Sequence, residues 1–147
     1  MSDLDRFLQA QSYQYETALK EIQNGRKQSH WMWYIFPQLR GLGQSSMAWE
    51  YGIADLEEAK AYLAHPILGA RLLEICNAAL NASSNNAVEV FGFPDNLKLR
   101  SSMTLFEATD PQQPIFGQIL MKFFNGERDL ATLRMLSSTG SVRLPTS

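Results

Sequence analysis

Leu4-Asp-Arg-Phe-Leu-Gln-Ala-Gln-Ser-Tyr-Gln-Tyr-Glu-Thr-Ala-Leu-Lys-Glu-Ile22, followed by Gln23-Asn-Gly25, is the stretch whose reading decides the fold class. Leu4, Phe7, Leu8, Gln11, Tyr15, Leu19 and Ile22 recur at steps of three and four residues. On a helix of 3.6 residues per turn that spacing forms one continuous stripe. Asn24-Gly25 supplies the stop, because glycine tolerates the left-handed conformation that ends helices.

Working outward, Gln28-Ser-His-Trp-Met-Trp-Tyr-Ile-Phe-Pro37 has neither clean period. A short buried helix capped by Ser29 and a buried strand both fit it, and Pro37 ends either; the helix is favoured. Leu39-Arg-Gly-Leu-Gly43 reads as loop. Ser45 to Tyr51 makes a short helix stopped by Gly52. Asp55-Leu-Glu-Glu58 has the capping-box arrangement and opens a helix to about Ala64. Pro66 suits the first turn of a helix from Ile67 to about Asn81. A polar connector, residues 81–86, leads to the short run Val88-Glu-Val-Phe91. Asp95 can cap Asn96 to about Ala108. Pro114 starts a helix with the stripe Ile115, Ile119, Leu120, Phe123 and Phe124, stopped by Asn125-Gly126. Leu130 to Leu136 gives a last turn or two. The expectation is a mainly α, compact single-domain bundle of about six to eight helices over residues 1–136, with little or no sheet. The Ser/Thr/Gly/Pro tail, 137–147, is expected to be loosely ordered.

The composition agrees with a folded chain: 147 residues, 45% hydrophobic and 19% charged. No apolar run approaches the ~18 residues of a membrane span, and Met1-Ser-Asp-Leu-Asp5 lacks the basic and apolar parts of a signal peptide. The expected location is the cytoplasm, with no membrane partner. Cys76 is the only cysteine, set in an apolar helical run, and reads as an inert core thiol. A net charge of -2 speaks against general nucleic-acid binding. The distribution of charge is more informative. Between Glu21 and Glu50 there is no acid, yet Arg26, Lys27, His30 and Arg40 fall there; between Asp95 and Glu107 the only charges are Lys98 and Arg100.

Most catalytic and cofactor signatures are missing: no Gly-rich phosphate loop, nucleophile elbow, HExxH or CxxC. No cofactor is implied. His30 and His65 have no acidic neighbour that would make a metal pair, so no metal site is assigned. Two segments carry candidate chemistry. In Arg26–Arg40, Trp31 and Trp33 lie beside His30 and are bracketed by fixed positive charge, including Arg40. That mixture suits a pocket where a planar group stacks and an anion meets a cation; an aromatic core segment with solvated flanking charges fits as well. In Asp95–Thr104, Lys98, Ser101 and Ser102 share one helical face that can hold phosphate or simply be solvated. Arg100 lies on a different face.

These same segments carry a resemblance. Gly25-Arg-Lys-x-Ser-His-Trp-Met-Trp-Tyr-Ile-Phe-Pro-Gln-Leu-Arg-Gly-Leu-Gly43, Tyr51-Gly-Ile53, the run 58–72 and Asp95-x-Leu-Lys-Leu-Arg-Ser-Ser-Met-Thr-Leu-Phe106 resemble the bacterial family catalogued as domain of unknown function 1810, over residues 3–136. The resemblance implies a compact, mainly helical fold and no particular activity. Some members carry the label calpastatin, whose inhibitor segments are extended and repetitive, unlike this core-rich chain. A fainter likeness is to the NADAR family, linked to ADP-ribose and N-glycosidic chemistry. It rests on Asp5, Phe7, Gln9-Ala-Gln11, then Pro66, Ala70 and Arg71, then Lys122-Phe123 with Leu130, Leu133 and Leu136. The spacing from Gln11 to Pro66 is longer than in that family, and its Gly-rich C-terminal motif is missing. The likeness implies that Asp5 would stabilise an oxocarbenium-like transition state; as a first-turn carboxylate Asp5 also simply suits the helix dipole.

Two functions are therefore carried forward. One is binding of a small anionic, nucleotide- or ADP-ribose-like ligand by His30, Trp31, Trp33, Arg40, Lys98, Arg100, Ser101 and Ser102, with His30 and Asp5 as catalytic candidates for an N-glycosidic hydrolase. The other is a non-catalytic protein–protein interaction module, its partner undetermined.

Overall fold

The computed structural model describes residues 3–138. Nine helices follow one another there: α1 Asp5–Gln23, α2 Met32–Ile35, α3 Ser46–Glu50, α4 Leu56–Ala64, α5 Leu68–Leu80, α6 Ala87–Phe91, α7 Asp95–Thr109, α8 Pro114–Phe124 and α9 Leu130–Ser138. Among the described residues the only β feature is one isolated bridge, Leu39 to Ile53. It is closed by Ile53 N–H donating to Gln38 O and Arg40 N–H to Ile53 O, both at 2.8 Å. The fold is all-α. The run 88–91, unassigned from sequence, is helical because Asn86 Oδ1 accepts from the Val88 and Glu89 amides and caps it. The tail expected over 137–147 lies almost wholly outside the described residues.

The local signals act mostly as their chemistry dictates. The α1 stripe buries Phe7, Gln11, Tyr15, Ala18 and Ile22. Asp55 accepts the Glu58 amide at 2.9 Å and caps α4. Asn125 takes a left-handed φ of 54° and ends α8. Three caps differ from expectation. Ser29 does not cap α2, which starts at Met32; its hydroxyl donates to Glu21 instead. The segment after Pro66 is opened by His65, whose Nδ1 accepts from Ile67 and Leu68 amides at 3.1 and 3.3 Å. Asp95 is the first residue of α7 rather than its cap, which leaves its carboxylate for lysines.

Helix α7 is the spine: it packs against α4, α6, α8 and α9, while α5 packs against α1, α4 and α8. Aromatic rings link these layers. Tyr62, Phe106 and Phe116 meet in a tilted series at centroid distances of 5.5 and 5.8 Å, and Phe36, Phe91 and Phe123 meet edge to face at 5.7 and 5.9 Å. Each such buried ring contributes roughly 1.5–3 kcal/mol of transfer free energy. Cys76 is buried beside Met103, and burial pushes its thiol up, as befits an inert core residue. No described helix is long and apolar enough to cross a membrane.

Candidate functional site

The connector between α1 and α2 is folded back onto α1 by a single carboxylate. Glu21 accepts from the Gln28 and Ser29 amides, the Ser29 hydroxyl and the Trp31 indole N–H, at 2.6–2.9 Å. Burial raises its pKa, but these donors outweigh it and hold the carboxyl down at about 2. Trp31 is thereby fully buried, with the Lys27 ammonium 5.0 Å from its ring centroid.

Lys27 reaches onward to α7. Its Nζ lies 2.8 Å from Asp95 Oδ2, and its side chain is only 6% exposed. The other oxygen of Asp95 sits 3.3 Å from Lys98 Nζ, one helical turn further along. Lys98 in turn stands 4.7 Å from the centroid of Trp33. One carboxylate thus serves two ammonium groups, each also against a tryptophan.

Lys98 marks the junction of two depressions. A slot of about 10 Å³, room for about one water, is lined by Trp33, Phe36, Gln38, Tyr51 and Lys98 among others. An open cleft of about 290 Å³ continues from it past Gln38, Pro94, Leu97, Lys98 and Ser101 to Asp129 and Ala131. Neither the Trp33 indole N–H nor the Gln38 amide has a hydrogen-bond partner among the described residues. Ser101 donates to Leu97 O at 3.2 Å. The cleft therefore offers the Lys98 ammonium and the Gln38 amide for a ligand, with the Trp33 indole in the adjoining slot.

The eight residues singled out from sequence fall into distinct places. Lys98 and Ser101 line this cleft, and Trp33 lines the adjoining slot, which Lys98 also borders. Trp31 belongs to the core. Ser102 is fully buried and its hydroxyl has no partner. Arg40 stacks 5.0 Å from Trp49 and donates to the Trp49 carbonyl at 2.9 Å. Arg100 opens into a neighbouring groove with Glu127 and Arg128. His30 is exposed on the connector, and Asp5 is exposed in the first turn of α1; neither lines the slot or the cleft. Lys98 pairs with Asp95, and Glu58 pairs with Arg6. Sequence reasoning did not single out Gln38 or Asp95 for the site. Gln38 directly follows the aromatic run at Pro37, and Asp95 heads the second acid-free segment; those positions were the available signals.

Structurally the protein is of the all-α class, with Lys98 over Trp33 beside a small slot. The chain belongs to the family described as Protein of unknown function (DUF1810), which matches residues 1–136. It is similar to the conserved hypothetical protein Rv1873 from Mycobacterium tuberculosis, known from a crystal structure. The two are 46% identical and superpose with a TM-score of 0.90, over 92% of this chain and 96% of that one. No curated protein matches.

Proposed function

We propose that the protein binds a small anionic ligand in the cleft at Lys98, with Lys98 as counter-charge and Trp33 as an aromatic surface. The observation that carries this is the sharing of Asp95 between Lys27, at 2.8 Å, and Lys98, at 3.3 Å. Two ammonium groups on one carboxylate leave a surplus of positive charge, and the longer contact belongs to the lysine at the cleft. A phosphate or carboxylate placed there gains charge-assisted hydrogen bonds of roughly 1.5–3 kcal/mol each when desolvated. The unpaired Gln38 amide, which lines the same cleft, adds a neutral one. The narrower form of the proposal is a nucleotide-like or ADP-ribose-like ligand whose planar part rests on Trp33. No N-glycosidic bond cleavage is built on His30 or Asp5, since neither lines the cleft.

The test is a thermal-shift and titration series with inorganic phosphate, AMP and ADP-ribose, because a ligand of the native state raises stability by mass action. At least one is expected to stabilise the protein, and Lys98→Ala to remove the effect. Unchanged melting with all three, or full stabilisation in Lys98→Ala, sinks the reading.

The interaction-module reading keeps one observation in its favour. Phe93, Leu97 and Leu130 are exposed, Phe93 by 74%, and Leu97 lines the cleft itself. Under that reading Phe93→Ser, and not Lys98→Ala, is the change that costs function.

A further inference from the structure

The cleft at Lys98 is uneven in its chemistry. Leu42, Pro94, Leu97 and Ala131 give it an apolar wall, and its polar side chains are Gln38, Lys98, Ser101 and Asp129. Two of those four are already engaged. The Ser101 hydroxyl donates to Leu97 O at 3.2 Å, and Asp129 Oδ2 accepts from the Thr132 hydroxyl at 2.6 Å and from its amide at 3.1 Å. The Lys98 ammonium has three donors and gives one hydrogen bond, to Asp95. The Gln38 amide has no partner among the described residues. Lys98 and Gln38 both border the slot as well as the cleft, so the two groups left for a ligand stand at the junction of the two depressions.

The charge there is countable. Lys27 and Lys98 share the carboxylate of Asp95, which leaves one net positive charge. A ligand with one negative charge cancels it, whereas a second anionic group in the same cleft would meet the Asp129 carboxylate. The apolar wall faces water. Leu97 is 42% exposed, Pro94 and Ala131 are exposed, and so are their chain neighbours Phe93 and Leu130. Covering such surface is favourable in proportion to its area, while a polar group brought against it without a partner is penalised.

We infer that the ligand of this cleft is a small monocarboxylic acid with a compact apolar body, its carboxylate at Lys98 and Gln38 and its body against Pro94, Leu97 and Ala131. This rests on the reading of the Lys98 cleft as an anion site, and it takes an apolar body in place of a nucleotide. A nucleotide brings a sugar and a phosphate that need several polar partners; a carboxylic acid needs the two that the cleft has unengaged. The volume of about 290 Å³ agrees, since it lies at the small end of ligand sites, which run from ~300 to 1,000 Å³.

Calorimetric titration of the full chain with phenylacetate, acetate, AMP and phenethylamine tests this. Phenylacetate is expected to bind at least about tenfold more tightly than acetate. Phenethylamine, with a similar body and a positive head, is expected not to bind. Lys98→Ala is expected to weaken phenylacetate by about tenfold or more. Leu97→Ser strips the wall, and Ala131→Phe fills the cleft from an exposed helical position. Each is expected to erase the advantage of phenylacetate over acetate, with thermal unfolding confirming that the variant is folded. If acetate or AMP binds as tightly as phenylacetate in a Lys98-dependent way, or the advantage survives both wall variants, the inference fails and the anion reading stands. If no anion binds, if Lys98→Ala changes nothing, or if phenethylamine binds as tightly as phenylacetate, the anion site itself fails and the inference with it.

Discussion

Arg6 and Glu58 close on each other through two hydrogen bonds, Nη2 to Oε1 at 2.7 Å and Nη1 to Oε2 at 3.2 Å. The same guanidinium donates to the carbonyls of Glu50 at 2.8 Å and Gly52 at 2.9 Å, so one side chain straps the segment before α4 to α1. Burial raises the Glu58 carboxyl, but the Arg6 contact and the Ala54 amide hold it below the ordinary carboxylate value. Arg6→Ala leaves that carboxylate buried and unpaired, and is expected to cost about 3–5 kcal/mol. The urea midpoint is the measurement. A loss under about 1 kcal/mol would show the strap to be ornamental.

Glu21 contributes to acid stability. Its folded pKa of about 2 lies below the ordinary 4.5. The unfolded chain therefore binds more protons between those values, and stability falls as pH drops through that window. The contribution is complete above the unfolded value and gone below the folded one. Urea midpoints taken from pH 5.5 down to pH 2.5 are expected to decline. In Glu21→Gln the decline is shallower, and Trp31, its indole N–H facing an amide in place of the carboxylate, reports the change by fluorescence.

Two glycines separate crowding from backbone strain. A Cβ on Gly69 would lie 2.2 Å from the Leu63 carbonyl oxygen, where only backbone movement makes room. One on Gly92 meets nothing within 4 Å, but its φ of +82° disfavours a side chain. Gly69→Ala is expected to cost more than about 3 kcal/mol, and Gly92→Ala, at φ +82° and ψ 166°, about 1–3 kcal/mol. Thermal unfolding of both variants ranks them, and the reverse order would refute the packing of α4 against α5 described above.

Two hydroxyls of α7 should respond oppositely to deletion. Ser102 Oγ is buried without a partner, so Ser102→Ala is expected to be neutral or to stabilise by up to about 1 kcal/mol. Thr104 Oγ1 donates to Arg100 O at 2.8 Å and accepts the Asp129 amide at 2.9 Å. Thr104→Val strands that amide and is expected to cost about 1–3 kcal/mol. Equilibrium unfolding of the pair decides it: equal losses would mean that Ser102 has a partner after all.

The helices were legible where their cause is local. The α1 stripe, the Asp55 cap and the Asn125 stop need only residues within a turn or two of each other. Of the two readings the aromatic run left open, core segment or pocket, each describes part of it: Trp31 and Phe36 are buried, while Trp33 lines the slot. The caps at Ser29 and Asp95 were misread because each side chain has a stronger partner elsewhere. Ser29 lies eight positions from Glu21, and Asp95 is drawn to Lys27 across the fold.

The candidate site shows the same division more sharply. Local sequence put Lys98 and Ser101 on one face of α7, and Trp33 in an aromatic run beside positive charge. It had no means of telling that Arg40 would stack on Trp49, or that Arg100 would open on the far side of α9. From sequence alone, then, this protein's helical class, most of its helix ends and its two acid-free segments are determined, because periodicity, capping and charge spacing act over a few residues. Which cation faces which ring, and which donor is left without an acceptor, was decided only by tertiary packing, because a side chain's partner depends on which distant segment the core brings within about 3 Å of it.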